Sequence, residues 1–459
     1  MLKNSFYRTF SYRTCAAAIA ATLFLTGCES EHKKFAEPAK QDWEKAQLGI
    51  MYQVAEQEYK VGDYDKCRDA LAKMLAVKAP FAPMHILMAK VDLEGGSLDD
   101  AASQLKTAST ITPNDPEAYY LLGVVYQRWQ KFETAADYYD QAAAKKPDQA
   151  IYVLASAEMK ISLGQLDEAR QYLLDKMMYF DQSAAIRVAL ARIAMLKADY
   201  AEAAKDYRDA TLLVPEDKNI RWSYASALFD AGKYNDSARI LEDLRSDPPV
   251  PAKALEVSAK AGQTSDTATD EQAQQAVKVS LLMMLGESYI NLQRPIDARD
   301  CFQEAARLKP DSTAAYLSLG KACLLTNELN LTLAATQRVL RTEPNNVDAK
   351  ILMGAVQQKQ KKWSDALDTL SGAAKLDPKN STILCMQGLS EIQLGKDNEA
   401  AGYLEKAVAV NPTDAWANEL LLKVKPAAAQ GTTPVSEPAS AVSNAAGTEL
   451  PNEAGVQGQ

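Results

Sequence analysis

The stretch PEAYYLLGVVYQRWQKFETAADYYDQAAAKKPDQ, residues 116–149, decides the fold. It holds two helix-length segments with a small residue at a matching place in each, Gly123 in the first and Ala135 in the second. Antiparallel helices approach closely only where side chains are small. The bulky Leu122, Tyr126 and Tyr139 then fill the space around the contact. Pro147 ends the second segment, because proline lacks an amide hydrogen and its ring clashes with the preceding turn.

The same 34-residue unit recurs at Leu48, Ala82, Pro116, Ala150, Ala184 and Lys218, and again at Val279, Thr313, Val347 and Ser381. Its eighth residue is Gly or Ala in all ten copies, from Ala55 to Gly388. Its twentieth is always small, from Cys67 to Ala400, and its thirty-second is Pro in eight copies, Pro113 and Pro412 among them. Gly62, Gly164, Gly232 and Gly395 mark the chain reversal inside a unit. A fixed period of this length means that each unit buries its apolar face against its neighbours. The fit is weakest in the fourth copy, with Lys176 at position 27 and Asp181 at position 32, and in the first, with Met74 and Ala79 there.

These small residues and prolines resemble the tetratricopeptide repeat, over residues 48–414 apart from one insertion. The resemblance implies an all-α fold, a right-handed solenoid of about ten helix-turn-helix repeats. The expected organisation is a signal peptide at 1–27, a lipidated N-terminus and polar tether at 28–47, and six repeats over 48–249. A linker with an early helix start follows at 250–278, near Asp270, then four repeats over 279–414, a capping helix at 415–424 and a disordered tail at 425–459. The Pro-rich register break after Pro249 reads either as a hinge between two blocks or as a tolerated surface insertion.

The N-terminus carries an export signal. Lys3, Arg8 and Arg13 lead into the apolar run Ala16–Leu25, too short to cross a bilayer. The run ends in Leu25-Thr26-Gly27-Cys28, which resembles the lipobox of bacterial lipoproteins. The resemblance implies acylation at Cys28 and membrane attachment through that lipid. Glu29 follows, and in enteric lipoproteins a residue other than Asp there points to the outer membrane, facing the periplasm. The chain stands at −9, and without the three cations of the leader the remainder stands at −12. An acidic body with no basic stretch argues against nucleic acid as a partner.

Motifs for chemistry are missing. The two histidines, His32 and His85, make no metal spacing with the cysteines, and no phosphate loop or nucleophile elbow is present. The expectation is no catalysis, no cofactor, no metal and no small-molecule substrate. Cys67, Cys301, Cys323 and Cys385 sit where a small apolar residue suits, so they read as buried thiols, although Cys301 and Cys323 are close enough in the repeat order to pair.

In the resembled fold, positions 2, 5, 9 and 12 of the first helix line a concave groove. Here that groove carries Tyr52, Tyr59, Tyr120, Arg192, Trp222 and Phe229, and it suits an extended or helical segment of another protein. Arg192, Trp222 and Phe229, in the fifth and sixth repeats, are hot-spot residue types, although Trp222 reads equally as a packed side chain. The family's chaperone-tail clamp of Lys and Asn is absent. Two functions follow from this reading. One is a lipid-anchored periplasmic scaffold for a pilus, secretion or polysaccharide-export machine, and the other is a holdase-like chaperone for clients in transit.

Overall fold

The computed structural model describes residues 29–75, 81–249 and 267–425. The expected signal peptide, the Cys28 lipidation site, residues 250–266 of the insertion and the tail beyond Lys425 lie outside the described residues. Among the described residues all regular structure is helical.

The chain divides into two compact units, Met1–Tyr179 and Phe180–Gln459. The first holds α1 (Glu29–Lys60), α2 (Tyr64–Leu75), α3 (Ala82–Glu94), α4 (Leu98–Ile111), α5 (Pro116–Arg128), α6 (Phe132–Lys145), α7 (Ala150–Ser162) and α8 (Leu166–Lys176). The second opens with α9 (Ala184–Leu196), α10 (Tyr200–Leu213), α11 (Lys218–Asp230) and α12 (Tyr234–Arg245). It continues with α13 (Thr267–Asn291), α14 (Pro295–Leu308), α15 (Thr313–Leu325), α16 (Leu329–Thr342), α17 (Val347–Lys359), α18 (Trp363–Ala374), α19 (Ser381–Gln393), α20 (Asp397–Val410) and α21 (Ala415–Val424). Odd-numbered helices open each repeat and even-numbered ones close it; within a unit each helix packs on its successor.

Three local devices recur along the hairpins. The opening helix is capped at position 34 of the preceding unit, where Asp115, Ser183, Asp217, Ser312, Asn346, Asn380 and Asp414 accept backbone N–H groups of the first turn. The reversal is a left-handed residue at position 15. Gly62, Gly96, Gly164, Gly232 and Gly395 take it freely, whereas Gln130, Ala198, Gln293, Asn327 and Lys361 hold the same φ with a side chain attached. The third device joins positions 8 and 24. A Cβ on Gly123 would lie 2.5 Å from the Tyr139 ring, and one on Gly286 would lie 2.6 Å from Phe302. The small residue at position 8 therefore makes room for the large one at 24, and both Tyr139 and Phe302 are fully buried.

Successive repeats join through positions 3 and 7 of the opening helix. Met84 and Met88 of α3 share a buried cluster with Leu71 and Met74 of α2. Ala118 and Leu122 of α5 do so with Leu105 and Ala108 of α4, and Leu281 and Leu285 of α13 with Leu241 and Leu244 of α12.

Two features differ from the sequence expectation. Residues 29–47, expected as a tether, are the first part of α1; α13, expected to start early near Asp270, begins at Thr267. Both segments are rich in Glu, Gln, Ala and Lys, which favour helix, and neither carries a Gly to stop it before the repeat begins. The division between units also falls at Tyr179 and not at the register break. Across that break α12 and α13 pack directly, and Glu304 of α14 takes Arg245 of α12 at 2.5 Å and Lys278 of α13 at 3.1 Å. The fourth repeat supplies the reason for the earlier division. Lys176 stands where a small apolar residue belongs, α8 ends there, and the chain continues as the short 3-10 turn Met177–Tyr179.

A candidate groove on the opening helices

Helix α5 is capped by Asp115, whose carboxylate accepts from the Glu117 N–H at 3.0 Å, and Pro116 fixes its first turn. That cap sets the face on which Tyr120, Val124 and Gln127 recur at positions 5, 9 and 12. Helix α7 presents Ile151, Leu154, Ala155, Glu158 and Met159 beside them. Together with Tyr139 of α6 these residues line an open cleft of about 460 Å³.

The cleft is held stiffly. Tyr139 is buried against the backbone of Gly123, and its Oη donates to Gln127 Oε1 at 2.7 Å. The Tyr120 ring lies 5.5 Å from that of Tyr139 and 5.3 Å from that of Tyr152, close enough for a tilted aromatic stack. Burial raises the Tyr120 and Tyr139 pKa values, with Tyr120 adding to the effect on Tyr139. Both phenols therefore stay protonated at neutral pH, and that of Tyr139 donates to Gln127. Ile151 stands at the rim, 52 % exposed. The lining offers apolar surface with Gln127 and Glu158 as its polar members, which suits an apolar side chain carried on a partner segment.

Tyr120 is the one of the six expected groove residues that lines this cleft. Tyr52 and Tyr59 are half-buried against the cluster of α1 to α3, with Tyr52 edge-on to Phe81 at 5.7 Å and Tyr59 beside Tyr64 at 5.6 Å. Arg192 is exposed on α9. Trp222 is half-buried and packs on the cluster holding Ala225, Leu241 and Leu285, which favours its packed reading. Phe229 meets Tyr234 edge-on at 5.4 Å, inside its own hairpin. Ile151 was missed as an individual. Its position 2 was among the groove positions, but its exposure depends on packing that the repeat pattern does not specify.

Other chemistry is sparse. Cys67, Cys301, Cys323 and Cys385 are all buried and free. Burial pushes the Cys301 and Cys323 thiols up to about 11 and Cys385 up to about 12, so they are not nucleophiles at neutral pH. Among the described residues no group of three His, Cys, Asp or Glu is placed to hold a metal, and no helix is long and apolar enough to cross a membrane. His85 contacts Gln104 Oε1 at 2.7 Å through its Nδ1.

Comparison with known proteins agrees with the repeat. Two tetratricopeptide repeat family models match residues 116–149 and 381–414, and residues 188–251 and 283–347. A third, described as TPR repeat, matches residues 89–128. The human protein O-mannosyl-transferase TMTC1 is 28% identical over 156 residues, 32% of this chain and 17% of that protein. Cellulose synthase 2 operon protein C of Komagataeibacter xylinus is 28% identical over 189 residues, 37% of this chain and 14% of that protein. The chain thus spans about a sixth of the length of these curated relatives. Among solved structures, a tetratricopeptide repeat protein of Parabacteroides merdae is similar at TM-score 0.39 and 14% identity, over 59% of this chain and 97% of that one. Pseudomonas aeruginosa pilF is similar at TM-score 0.36 and 17% identity, over 51% and 94%. With the hairpins, their small-residue contacts and the family matches in agreement, the chain is a tetratricopeptide repeat protein.

Proposed function

We propose that this tetratricopeptide repeat scaffold is anchored by lipid at Cys28 on the periplasmic side of a bacterial membrane, the outer one, and seats a protein segment in the assembly of an envelope machine. The observation that carries the reading is the cleft of repeats three and four. Tyr120, Ile151 and Leu154 present apolar surface on a braced floor, at the positions where this family binds extended or helical segments. The anchor rests on the Leu25 to Cys28 box. Among the machines considered, polysaccharide export takes support from the relative named as a cellulose synthase operon protein, at 28% identity over 37% of this chain.

The test has two arms in the native host. Detergent partitioning of the full chain should report a lipid-modified species, and Cys28→Ser should abolish it; unchanged partitioning of the variant removes the anchor. Affinity capture should recover a discrete set of envelope proteins, and Ile151→Glu should lose it with the melting temperature intact. Broad capture of unfolded chains, indifferent to Ile151→Glu, would favour the holdase and overturn the scaffold.

A further inference from the structure

Helix α1 carries two apolar faces, and the repeats themselves show what each is for. Leu48 and Ala55 are buried against α2 and α3, as in any opening helix. On the opposite side Trp43 is 64% exposed, Ile50 66% and Val54 54%, and Val61, just past the helix end, is 65% exposed. At about 100° per residue these four fall within about 40° of one another, along a line of about 27 Å.

Ile50 and Val54 stand at positions 3 and 7 of the first repeat. The equivalent pairs Met84 and Met88, Ala118 and Leu122, and Leu281 and Leu285 are buried under the closing helix of the repeat before. The first repeat thus offers the docking face of an inter-repeat joint. Elsewhere that joint is reached through a short turn such as residues 112–115, but α1 runs unbroken from Glu29 through this point. The covering helix must therefore come from outside the repeat order.

We propose that the occupant is α1 of a second copy of this chain, packed antiparallel about a two-fold axis level with residue 52. The spacing is self-complementary. Reversal about residue 52 sets Trp43 opposite Val61 and Ile50 opposite Val54, apolar against apolar along the whole line. Among the described residues no other helix presents more than two exposed large apolar side chains, so a second copy has no better face to offer. The tail from 426 onward has only Val435, Val442, Leu450 and Val456 as large apolar residues, too few to cover such a line. A two-fold pairing of this kind closes on itself and gives a dimer and not a fibre.

Sedimentation of the full chain carrying Cys28→Ser, which removes any anchor, tests the pairing. A monomer–dimer equilibrium is expected, weakened at least about a hundredfold by Ile50→Asp with Val54→Asp, with the melting temperature unchanged at concentrations where both chains are monomeric, because both sites are exposed there. A mixture of Trp43→Cys and Val61→Cys chains should cross-link heterotypically. A chain that stays monomeric at the highest attainable concentration, or a dimer indifferent to the double aspartate variant, would overturn the proposal. So would adducts from residue 50 to a different protein.

Discussion

The faces of the third and fourth repeats and of the sixth repeat carry similar residues and end differently. In the first, Tyr120 and Leu154 at position 5 stand over a floor already filled by Tyr139, so their outer surfaces and the rim residue Ile151 stay open. In the second, Trp222 at the same position is half-buried and packs on the cluster that holds Ala225, Leu241 and Leu285. What stands at position 24 differs between the two, a ring in the third repeat and an aliphatic chain in the sixth. Tyr139 is fully buried against Gly123 in the third repeat, and Leu241 belongs to the cluster that Trp222 packs on in the sixth.

The largest contrast should come from truncating the two residues. Trp222→Ala is expected to cost the second unit about 2–4 kcal/mol, because a half-buried indole leaves a void among fixed neighbours. Ile151→Ala should change stability by less than about 0.5 kcal/mol, being at the rim. Denaturant unfolding of each variant reads both values, and equal losses would erase the distinction. Next in size is Gly123→Ala. The added methyl would sit 2.5 Å from a ring that cannot retreat, for a cost of about 1–3 kcal/mol and a disturbed cleft floor. A neutral result by the same titration would show that Tyr139 is free to shift.

The turns of the two repeats sharpen the comparison further. Position 15 is Gly232 in the sixth, with φ at +72°, and Gln130 in the third, at +59°. Gly232→Ala should destabilise by about 1–2 kcal/mol, while Gln130→Gly should stabilise by roughly 0.5–1 kcal/mol, since glycine escapes the left-handed penalty but costs chain entropy. Opposite signs in thermal unfolding are the expected outcome. The smallest effect concerns acid. Burial works against the Glu304 charge, but hydrogen bonds from Arg245 and Lys278 outweigh it, and its pKa is lowered from the ordinary 4.5. A lowered folded pKa contributes stability above 4.5 that is lost as pH falls through the folded value. Glu304→Gln should therefore reduce stability at neutral pH and flatten the acid limb of the second unit. A limb unchanged by the substitution would remove the ion pairs from the account.

Much of this fold was legible in the sequence, because its devices are local. Small residues at positions 8 and 20 and proline at 32 are identities tied to spacing, and they placed the hairpins on sight. The caps at position 34 and the left-handed residue at 15 were visible only in part, since half the turns use Gln, Ala, Asn or Lys where glycine would announce itself. The compact units divide elsewhere than at the register break, and the reason is physical. A register break such as that after Pro249 is conspicuous in sequence, yet Leu241, Leu244, Leu281 and Leu285 still meet across it. Lys176 and Asp181, which mark the weaker repeat beside the actual division, are single substitutions inside an intact period. In the groove, positions were predictable and accessibility was not, because it depends on packing with other helices, as Trp222 packs on a cluster drawn from several of them.

The central claim is that the face of repeats three and four, and not that of repeat six, receives the partner. Photo-cross-linking in the native host from residue 151 and, in parallel, from residue 222 tests it most directly. The account predicts a discrete protein adduct from residue 151 and none from residue 222. An adduct from residue 222 alone, or from neither position while the chain still captures its partner, would contradict it.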